Sequence, residues 1–120
     1  MVKVLVVDDE VEVADFLCNF LKRFKIPIEK ATSGEEALKV FDKTKPDWVL
    51  LDIRMPDLDG FEVLKRLKAK DSRVKVMMIT GSEDKVSQEK ANNLGAVDYI
   101  VKPLDLEELH NKIQTHILEK

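Results

Sequence analysis

The chain has 120 residues, 44% of them hydrophobic, and this size and composition predict a single domain over residues 1–120 with a sizeable core. The net charge of −3 is not the basic balance of nucleic-acid-binding chains, and no apolar run approaches the about 20 residues of a membrane-spanning helix, so neither direct nucleic-acid contact nor membrane insertion is expected. Cys18 is the only cysteine, which excludes an intrachain disulfide and, with no signal peptide in the sequence, favours a cytoplasmic location.

Short apolar runs alternate with amphipathic segments along the chain, and this alternation predicts an α/β fold in which helices cover both faces of a parallel sheet. The predicted strands are Val2–Val7, Pro27–Ala31, Asp47–Asp52, Val74–Thr80 and Val97–Val101. The first is almost wholly aliphatic, as expected for a strand that is buried on both faces, whereas the second is short and weaker.

Helices are predicted in the segments between and after these strands. They are about Val11–Phe24, the segment after Ser33, the segment through Phe61, Leu64 and Leu67, Glu83–Leu94, and the segment after Asp105. Ser33 and Glu36 have the spacing of a capping box, which predicts that the second helix begins there. A loop over Met55–Gly60 precedes the third helix.

The last two helices differ in how firmly we expect them to pack. The fourth has only Val86, Ala91 and Leu94 as apolar residues, so it is expected to be the least firmly anchored element. The fifth is expected to begin at Asp105 as its cap and to bury Leu106, Leu109, Ile113 and Ile117. His110 and His116 lie on this helix and are expected at its surface or boundary.

Four of the apolar runs end on polar side chains that can bind a metal ion or a phosphate: Asp8 and Asp9, Asp52, Thr80, and Lys102. Because the carboxyl ends of parallel strands meet at one edge of a sheet, these side chains are expected to converge where open α/β sheets bind ligands. The three carboxylates would repel one another unless a cation joined them, and such oxygen ligands favour Mg²⁺ (or Mn²⁺). Any one of these aspartates alone is equally well explained as a helix cap or a turn residue.

The joint pattern resembles the response-regulator family, that is, the CheY-like receiver domains of two-component signalling. The residues that carry the resemblance, in the expected order over the whole chain, are Asp8-Asp9, Asp52 with Met55-Pro56 and Gly60, Thr80-Gly81, and Lys102-Pro103. The resemblance implies a doubly wound, five-stranded parallel sheet of the flavodoxin-like kind, (βα)5, with strand order 2-1-3-4-5. It also implies a cis peptide bond between Lys102 and Pro103.

For the site, the resemblance implies that Asp52 is the phosphoacceptor. Asp9, Asp52 and the backbone carbonyl of Arg54 would bind Mg²⁺ directly, and Asp8 would act through water. Thr80 and Lys102 would hold phosphoryl oxygens. The donor would be a sensor histidine kinase or a histidine phosphotransfer protein, and the sequence does not identify the downstream target.

The same resemblance suggests how phosphorylation changes the conformation and which residues set the lifetime of the phosphoryl group. Thr80 and Tyr99 would move together and remodel the face formed by the fourth helix, fifth strand and fifth helix, although Tyr99 taken alone is better explained as a strand aromatic that stays in place. A side chain at Gly81 would crowd the phosphate, or Gly81 simply follows a strand as a turn residue. Arg54 and Ser82 occupy positions where the family tunes loss of the phosphoryl group, and Arg54 is otherwise a solvated loop residue.

The first helix carries a second apolar stripe, formed by Val13, Phe16 and Phe20, beside the stripe that faces the core. We expect this second stripe to face solvent in part and to dock the helices of a phosphodonor. The alternative is a wide core face.

Other functions fit the residues less well. A haloacid-dehalogenase-like Mg²⁺-dependent phosphohydrolase needs a second Asp two residues after its nucleophile, and Arg54 occupies that position. A flavin binder needs a phosphate cradle after its first strand, where Asp8, Asp9 and Glu10 would repel phosphate. The chain is therefore expected to catalyse only its own phosphorylation and dephosphorylation, as a separate regulator, a phosphorelay intermediate or part of a longer regulator.

Overall fold

The computed structural model describes residues 2–81 and 85–118, and within them five strands alternate with five α-helices. The strands are β1 (Val4–Val7), β2 (Ile28–Ala31), β3 (Trp48–Asp52), β4 (Lys75–Thr80) and β5 (Asp98–Val101). The helices are α1 (Val11–Lys22), α2 (Gly34–Thr44), α3 (Gly60–Lys70), α4 (Lys85–Asn93) and α5 (Leu106–Ile113). A π-helical turn, Gln114–Leu118, follows α5.

The strands form one parallel sheet in the order β2-β1-β3-β4-β5, which confirms the predicted strand order. Val7 of β1 pairs with Leu51 of β3, so the residues that follow them, Asp8 and Asp52, stand side by side. Thr80 of β4 pairs with Val101 of β5, which brings Lys102 beside the end of β4. The carboxyl ends of four strands therefore supply the predicted polar residues to one edge of the sheet.

Successive side chains of the central strands point to opposite faces and enter two separate cores. Leu5 and Val7 of β1 pack on the face covered by α2, α3 and α4, whereas Val4 and Val6 pack on the face covered by α1 and α5. All four are fully buried, as the aliphatic run predicted. The sheet is thus the middle layer of a doubly wound α/β domain.

The helix caps follow the sequence signals. Ser33 accepts a hydrogen bond from the amide of Glu36 at 3.1 Å, and Glu36 accepts one from the amide of Thr32 at 2.7 Å, one residue before the amide that a capping box usually uses. Asp105 accepts from the amides of Glu107 and Glu108. No helix within residues 2–81 and 85–118 has the length and apolar character that crossing a membrane requires.

One expectation about helix packing is wrong. Leu106 is 55% exposed, because Leu104 in the preceding loop packs on the α1 and α5 core in its place. Val86 is 72% exposed, because it lies five residues before Ala91 and so about 140° away around the helix. Ala91 is the buried residue of α4 in the described part of the chain, which agrees with the expected weak anchoring of this helix.

Candidate functional site

Three carboxylates meet at the edge of the sheet. Asp8 and Asp52 are 0% and 4% exposed, whereas Asp9 is open to solvent. One oxygen from each of the three lies within 4.8 Å of the others, as the convergence of β1 and β3 predicted. Two buried carboxylates this close together repel each other, so the protein must place positive charge beside them.

Lys102 reaches into this cluster from the end of β5. Its ammonium lies 3.1 Å from Asp8 Oδ2 and 3.6 Å from Asp52 Oδ2, and it is closest to Glu10 Oε1 at 2.7 Å. Its amide donates to the carbonyl of Thr80 at 2.7 Å, which fixes the end of β5 against β4. The peptide bond between Lys102 and Pro103 is cis, as the resemblance implied.

These contacts shift the pKa values of both partners. Burial, and then the charge of Asp8, raise the pKa of Asp52 well above the usual range of a carboxyl, and Lys102 only partly offsets this. Burial lowers the pKa of Lys102, but its hydrogen bond to Glu10 and the negative charges of Asp52 and Asp8 outweigh burial and raise that pKa overall. Additional positive charge beside Asp52 would favour its ionised, nucleophilic form.

The donor set fits a hard divalent cation. Asp8 Oδ2 is buried, and although its 3.1 Å contact with Lys102 is an ion pair, no donor in residues 2–81 and 85–118 makes a well-directed hydrogen bond to it. Asp8 Oδ2 therefore has spare acceptor capacity, and one oxygen of each of the three acids lies close enough to the others to share one cation. Mg²⁺ accepts one or two carboxylates and keeps several waters, which matches such a partly open site.

The β3–α3 loop closes tightly beside Asp52. The amide of Gly60 donates to the carbonyl of Ile53 at 2.7 Å, and the amide of Arg54 lies 3.4 Å from Asp52 Oδ1. A Cβ on Gly60 would stand 2.5 Å from the carbonyl oxygen of Asp52, so only glycine fits there. The side chain of Arg54 is exposed.

The other predicted phosphate contacts lie at the end of β4 and on β5. Thr80 is 4% exposed, and a Cβ built on Gly81 would meet no atom of the described residues within 4 Å. Tyr99 is half-buried, with the ammonium of Lys112 5.2 Å from its ring centroid and hydrogen-bonded to its carbonyl at 2.7 Å. Ser82 lies outside the described residues.

The expected docking stripe on α1 needs one correction. Phe16 is 39% exposed and Val13 is half-buried, but Phe20 is only 6% exposed, so the expectation that it faces solvent is wrong. The ring of Phe20 packs edge-on against the ring of Phe24, with 5.5 Å between the centroids. The guanidinium carbon of Arg23 lies 5.9 Å from the centroid of the Phe20 ring.

The exposed part of this stripe borders the acid cluster. A groove of about 580 Å³ lies between α1 and the segment after β5. Its lining residues are Glu10, Glu12, Val13, Phe16, Gly81, Lys102, Pro103 and Leu104.

Sequence reasoning missed two sets of partners. Glu10 was considered only as a residue that would repel phosphate, whereas it pairs with Lys102. Asp98 at the start of β5 pairs with Lys112 at 2.8 Å and with His116 at 2.9 Å, which ties β5 to α5. The position of Glu10 directly after Asp8-Asp9 is the only sequence signal for its pair with Lys102. No sequence signal indicates the contacts of Asp98 with Lys112 and His116.

Comparison with known proteins agrees with this architecture. A family model described as the response regulator receiver domain matches residues 4–114. The alkaline phosphatase synthesis transcriptional regulatory protein PhoP of Bacillus subtilis is 36% identical over 93% of this chain and 47% of its own length. The sporulation initiation phosphotransferase F of the same species is 30% identical over 96% of this chain and 93% of its own length. The chain thus spans less than half the length of some curated relatives and nearly all of another.

Solved structures show the same fold. A CheY-like response regulator receiver domain protein from Methanospirillum hungatei superposes with a TM-score of 0.91 at 28% identity, covering 99% of this chain and 95% of that one. A chain of the CheX-CheY-BeF3-Mg+2 complex from Borrelia burgdorferi gives a TM-score of 0.91 at 30% identity, covering 99% of this chain and 90% of that one.

Proposed function

The chain belongs to the response regulator receiver domain family, and we propose that it is a phosphorylation switch in which Asp52 accepts a phosphoryl group. The observation that carries this proposal is the buried carboxylate of Asp52, 4% exposed, held between the other two acids and the ammonium of Lys102. A buried acid with a raised pKa beside a specific cation is typical of functional sites.

In the proposed reaction, a carboxylate oxygen of Asp52 attacks the phosphorus of a phosphohistidine. The P–O bond forms as the P–N bond breaks, and the electron pair of that bond leaves with the imidazole nitrogen, which then takes a proton from solvent. Lys102 would hold a phosphoryl oxygen and offset its charge, and Thr80 would donate its hydroxyl to another. Hydrolysis of the acyl phosphate would return Asp52 to its starting state.

We propose that Asp9, Asp52 and the backbone carbonyl of Arg54 would hold Mg²⁺ or Mn²⁺, with Asp8 acting through water. The bound cation would supply positive charge to the transferring phosphoryl group. The spare acceptor capacity of Asp8 and the clustered oxygens support this assignment. So does the likeness to the Borrelia burgdorferi complex, whose name includes BeF3 and Mg+2.

For the readout, we propose that the hydroxyl of Thr80 moves toward the phosphoryl group and that Tyr99 follows. The weak anchoring of α4, with Ala91 as its buried residue, supports a change in the face formed by α4, β5 and α5. Val86 of α4 and Val97, the residue before β5, are 72% and 44% exposed, and we propose that they contact the target. Gly81 would leave space for the phosphate, and Arg54 and Ser82 would set how fast water removes it.

The phosphodonor would dock on the groove beside α1. Val13 and Phe16 provide its apolar wall, and Glu10 and Glu12 provide an acidic rim. This combination suits the helices of a sensor histidine kinase or a histidine phosphotransfer protein that carry an apolar stripe with basic flanks. Because the relatives include both a transcriptional regulator and a phosphotransferase, either a longer regulator or a phosphorelay intermediate fits this domain.

Incubation with acetyl phosphate and Mg²⁺, followed by intact-mass measurement, tests the proposal. The wild type should gain one phosphoryl group, and Asp52→Asn should gain none. A matched control is Asp42→Asn, which removes an exposed carboxylate of α2 that pairs with Lys70. A wild type that gains no mass, or an Asp52→Asn variant that still does, would contradict the proposal.

A further inference from the structure

The first turn of α2 needs acceptors for four amide groups, as every helix does. The hydroxyl of Ser33 satisfies one of them by accepting from the amide of Glu36 at 3.1 Å, whereas its carbonyl accepts the first intrahelical hydrogen bond, from Ala37 at 2.9 Å. Two more of these groups are the amides of Gly34 and Glu35. Both donate to one side chain in the β3–α3 loop, Asp57, whose Oδ1 and Oδ2 accept them at 3.0 and 2.9 Å.

This contact uses both oxygens of an ionised carboxylate. The amide hydrogen bonds from Glu35 and Gly34 hold the pKa of Asp57 below its usual range, although the side chain is open to solvent. A negative charge at the amino end of a helix also interacts favourably with the helix dipole. Asparagine would offer only one oxygen and no charge, so the paired contact depends on the carboxylate.

Packing fixes the same contact sterically. A Cβ on Gly34 would lie 2.6 Å from Cβ of Leu58, the residue after Asp57. Leu58 in turn packs against the core under α2 and α3. The start of α2 and the outer turn of the loop therefore approach as closely as backbone allows, and the carboxylate of Asp57 meets the amides without rearrangement.

The inner end of the same loop forms part of the acid cluster. The loop leaves the sheet at Asp52, closes on itself through the hydrogen bond from Gly60 to Ile53, and directs the amide of Arg54 at Asp52 Oδ1. Asp57 fastens the outer turn of this loop to α2 by hydrogen bonds, beside the close approach of Leu58 to Gly34. Release of that turn would loosen the segment that carries Arg54.

We propose that Asp57 is a positioning residue for the metal site: by fastening the β3–α3 loop to the start of α2, it holds the backbone of Arg54 where a cation bound by Asp9 and Asp52 needs it. This inference rests on the proposed function, since it presumes that Arg54 contributes its carbonyl. Asp57 itself contacts neither the metal nor the phosphoryl group.

The test compares Asp57→Asn with Asp59→Asn. Both changes remove one negative charge from the same loop, but the carboxylate of Asp59 accepts a hydrogen bond from the amide of Phe61, at 2.8 Å, through one oxygen, and asparagine can keep that bond. Mg²⁺ affinity is measured by calorimetry, and exchange of the Gly34 and Glu35 amides is measured by NMR in metal-free protein. Asp57→Asn should weaken Mg²⁺ binding by about tenfold, the low end of what changes outside the ligand set cost. It should also speed exchange of both amides, whereas Asp59→Asn should change neither quantity appreciably.

Rescue separates positioning from general damage. Saturating Mg²⁺ should restore the phosphorylation rate of Asp57→Asn to near the wild-type rate, because only cation binding is impaired. Equal Mg²⁺ affinity in the two variants, or a phosphorylation rate of Asp57→Asn that stays low at saturating Mg²⁺, would overturn the role of Asp57 while leaving the proposed function intact. A wild type that binds no Mg²⁺ would overturn the proposed function and this inference with it.

Discussion

The ammonium of Lys102 lies 2.7 Å from Glu10 Oε1, closer than it lies to either buried aspartate. Lys102 is partly shielded and Glu10 is exposed, so the ion pair sits at the mouth of the acid cluster. The ammonium of Lys102, which is proposed to hold a phosphoryl oxygen, therefore already pairs with a surface carboxylate. Phosphorylation of Asp52 would require Lys102 to exchange Glu10 for the phosphoryl group.

Glu10→Gln should accelerate phosphorylation from acetyl phosphate in the presence of Mg²⁺. An ion pair with one exposed partner contributes about 1 kcal/mol or less, so the gain should be at most about fivefold. Glu12→Gln is the matched control, because it removes the same charge from the first turn of α1. Equal acceleration in both variants would attribute the effect to net charge, and no acceleration in Glu10→Gln would contradict the exchange.

Gly60 and Gly81 should respond differently to substitution by alanine. At Gly60 the new methyl group would stand 2.5 Å from the carbonyl oxygen of Asp52, so Gly60→Ala should lower the free energy of unfolding by about 2 kcal/mol. At Gly81 the described residues leave the methyl group room, so Gly81→Ala should change stability by less than about 0.5 kcal/mol yet slow phosphorylation. Chemical denaturation and intact-mass kinetics measure the two effects. A normal phosphorylation rate in Gly81→Ala would show that this glycine is only a turn residue.

Phe16 and Phe20 also form a matched pair on α1. Phe16→Ala should slow phosphoryl transfer from a histidine phosphotransfer protein but not from acetyl phosphate, because Phe16 is 39% exposed beside the groove. Phe20→Ala should instead lower the free energy of unfolding by about 3 kcal/mol, because its ring is 6% exposed and packed. If Phe16→Ala slowed transfer from both donors equally, the docking role would be lost.

Asp98 should make stability depend on pH. Burial would raise the pKa of Asp98, but hydrogen bonds from Lys112, the amide of Tyr99 and His116 outweigh it and hold that pKa below its usual range. A lowered pKa in the folded state adds stability above the unfolded pKa, and the gain is lost as pH falls through the folded pKa. Near neutral pH, the free energy of unfolding of Asp98→Asn should therefore be about 1 kcal/mol lower than that of the wild type.

That deficit should shrink as the pH falls through about 4, where half of the unfolded aspartate is protonated, and on through the lower folded pKa. Urea denaturation of both proteins across this range gives the measurement. Asp15→Asn serves as the control, because its pair with Lys30 is exposed at both ends and should contribute little to stability. A deficit that stays constant with pH would mean that the charge of Asp98 contributes nothing to folding.

The meeting of Asp8, Asp52, Thr80 and Lys102 was predictable because each residue lies at the carboxyl end of an apolar run, and the strand order was implied by the resemblance to receiver domains. The burial of Phe20 was not, because periodicity shows which residues share a side of a helix but not how far neighbouring rings cover that side.

The contacts of Glu10 and Asp57 were not predictable either. Glu10 meets Lys102 across 92 positions of sequence, and Asp57 meets Gly34 across 23. Such pairs become visible only when the loops at the edge of the sheet have their three-dimensional arrangement. In both cases composition alone assigns the surface carboxylate to solvent, whereas Glu10 pairs with Lys102 of the site and Asp57 binds the start of α2.

The most direct test of the central claim is to locate the phosphoryl group within the chain. Borohydride reduces an aspartyl phosphate to homoserine, and peptide mass spectrometry then identifies the modified position after treatment with acetyl phosphate and Mg²⁺. We predict homoserine at position 52 and unmodified aspartate at positions 8 and 9. Modification at either of those positions, or a phosphoryl group found on His110 or His116, would contradict the assignment of Asp52 as the phosphoacceptor.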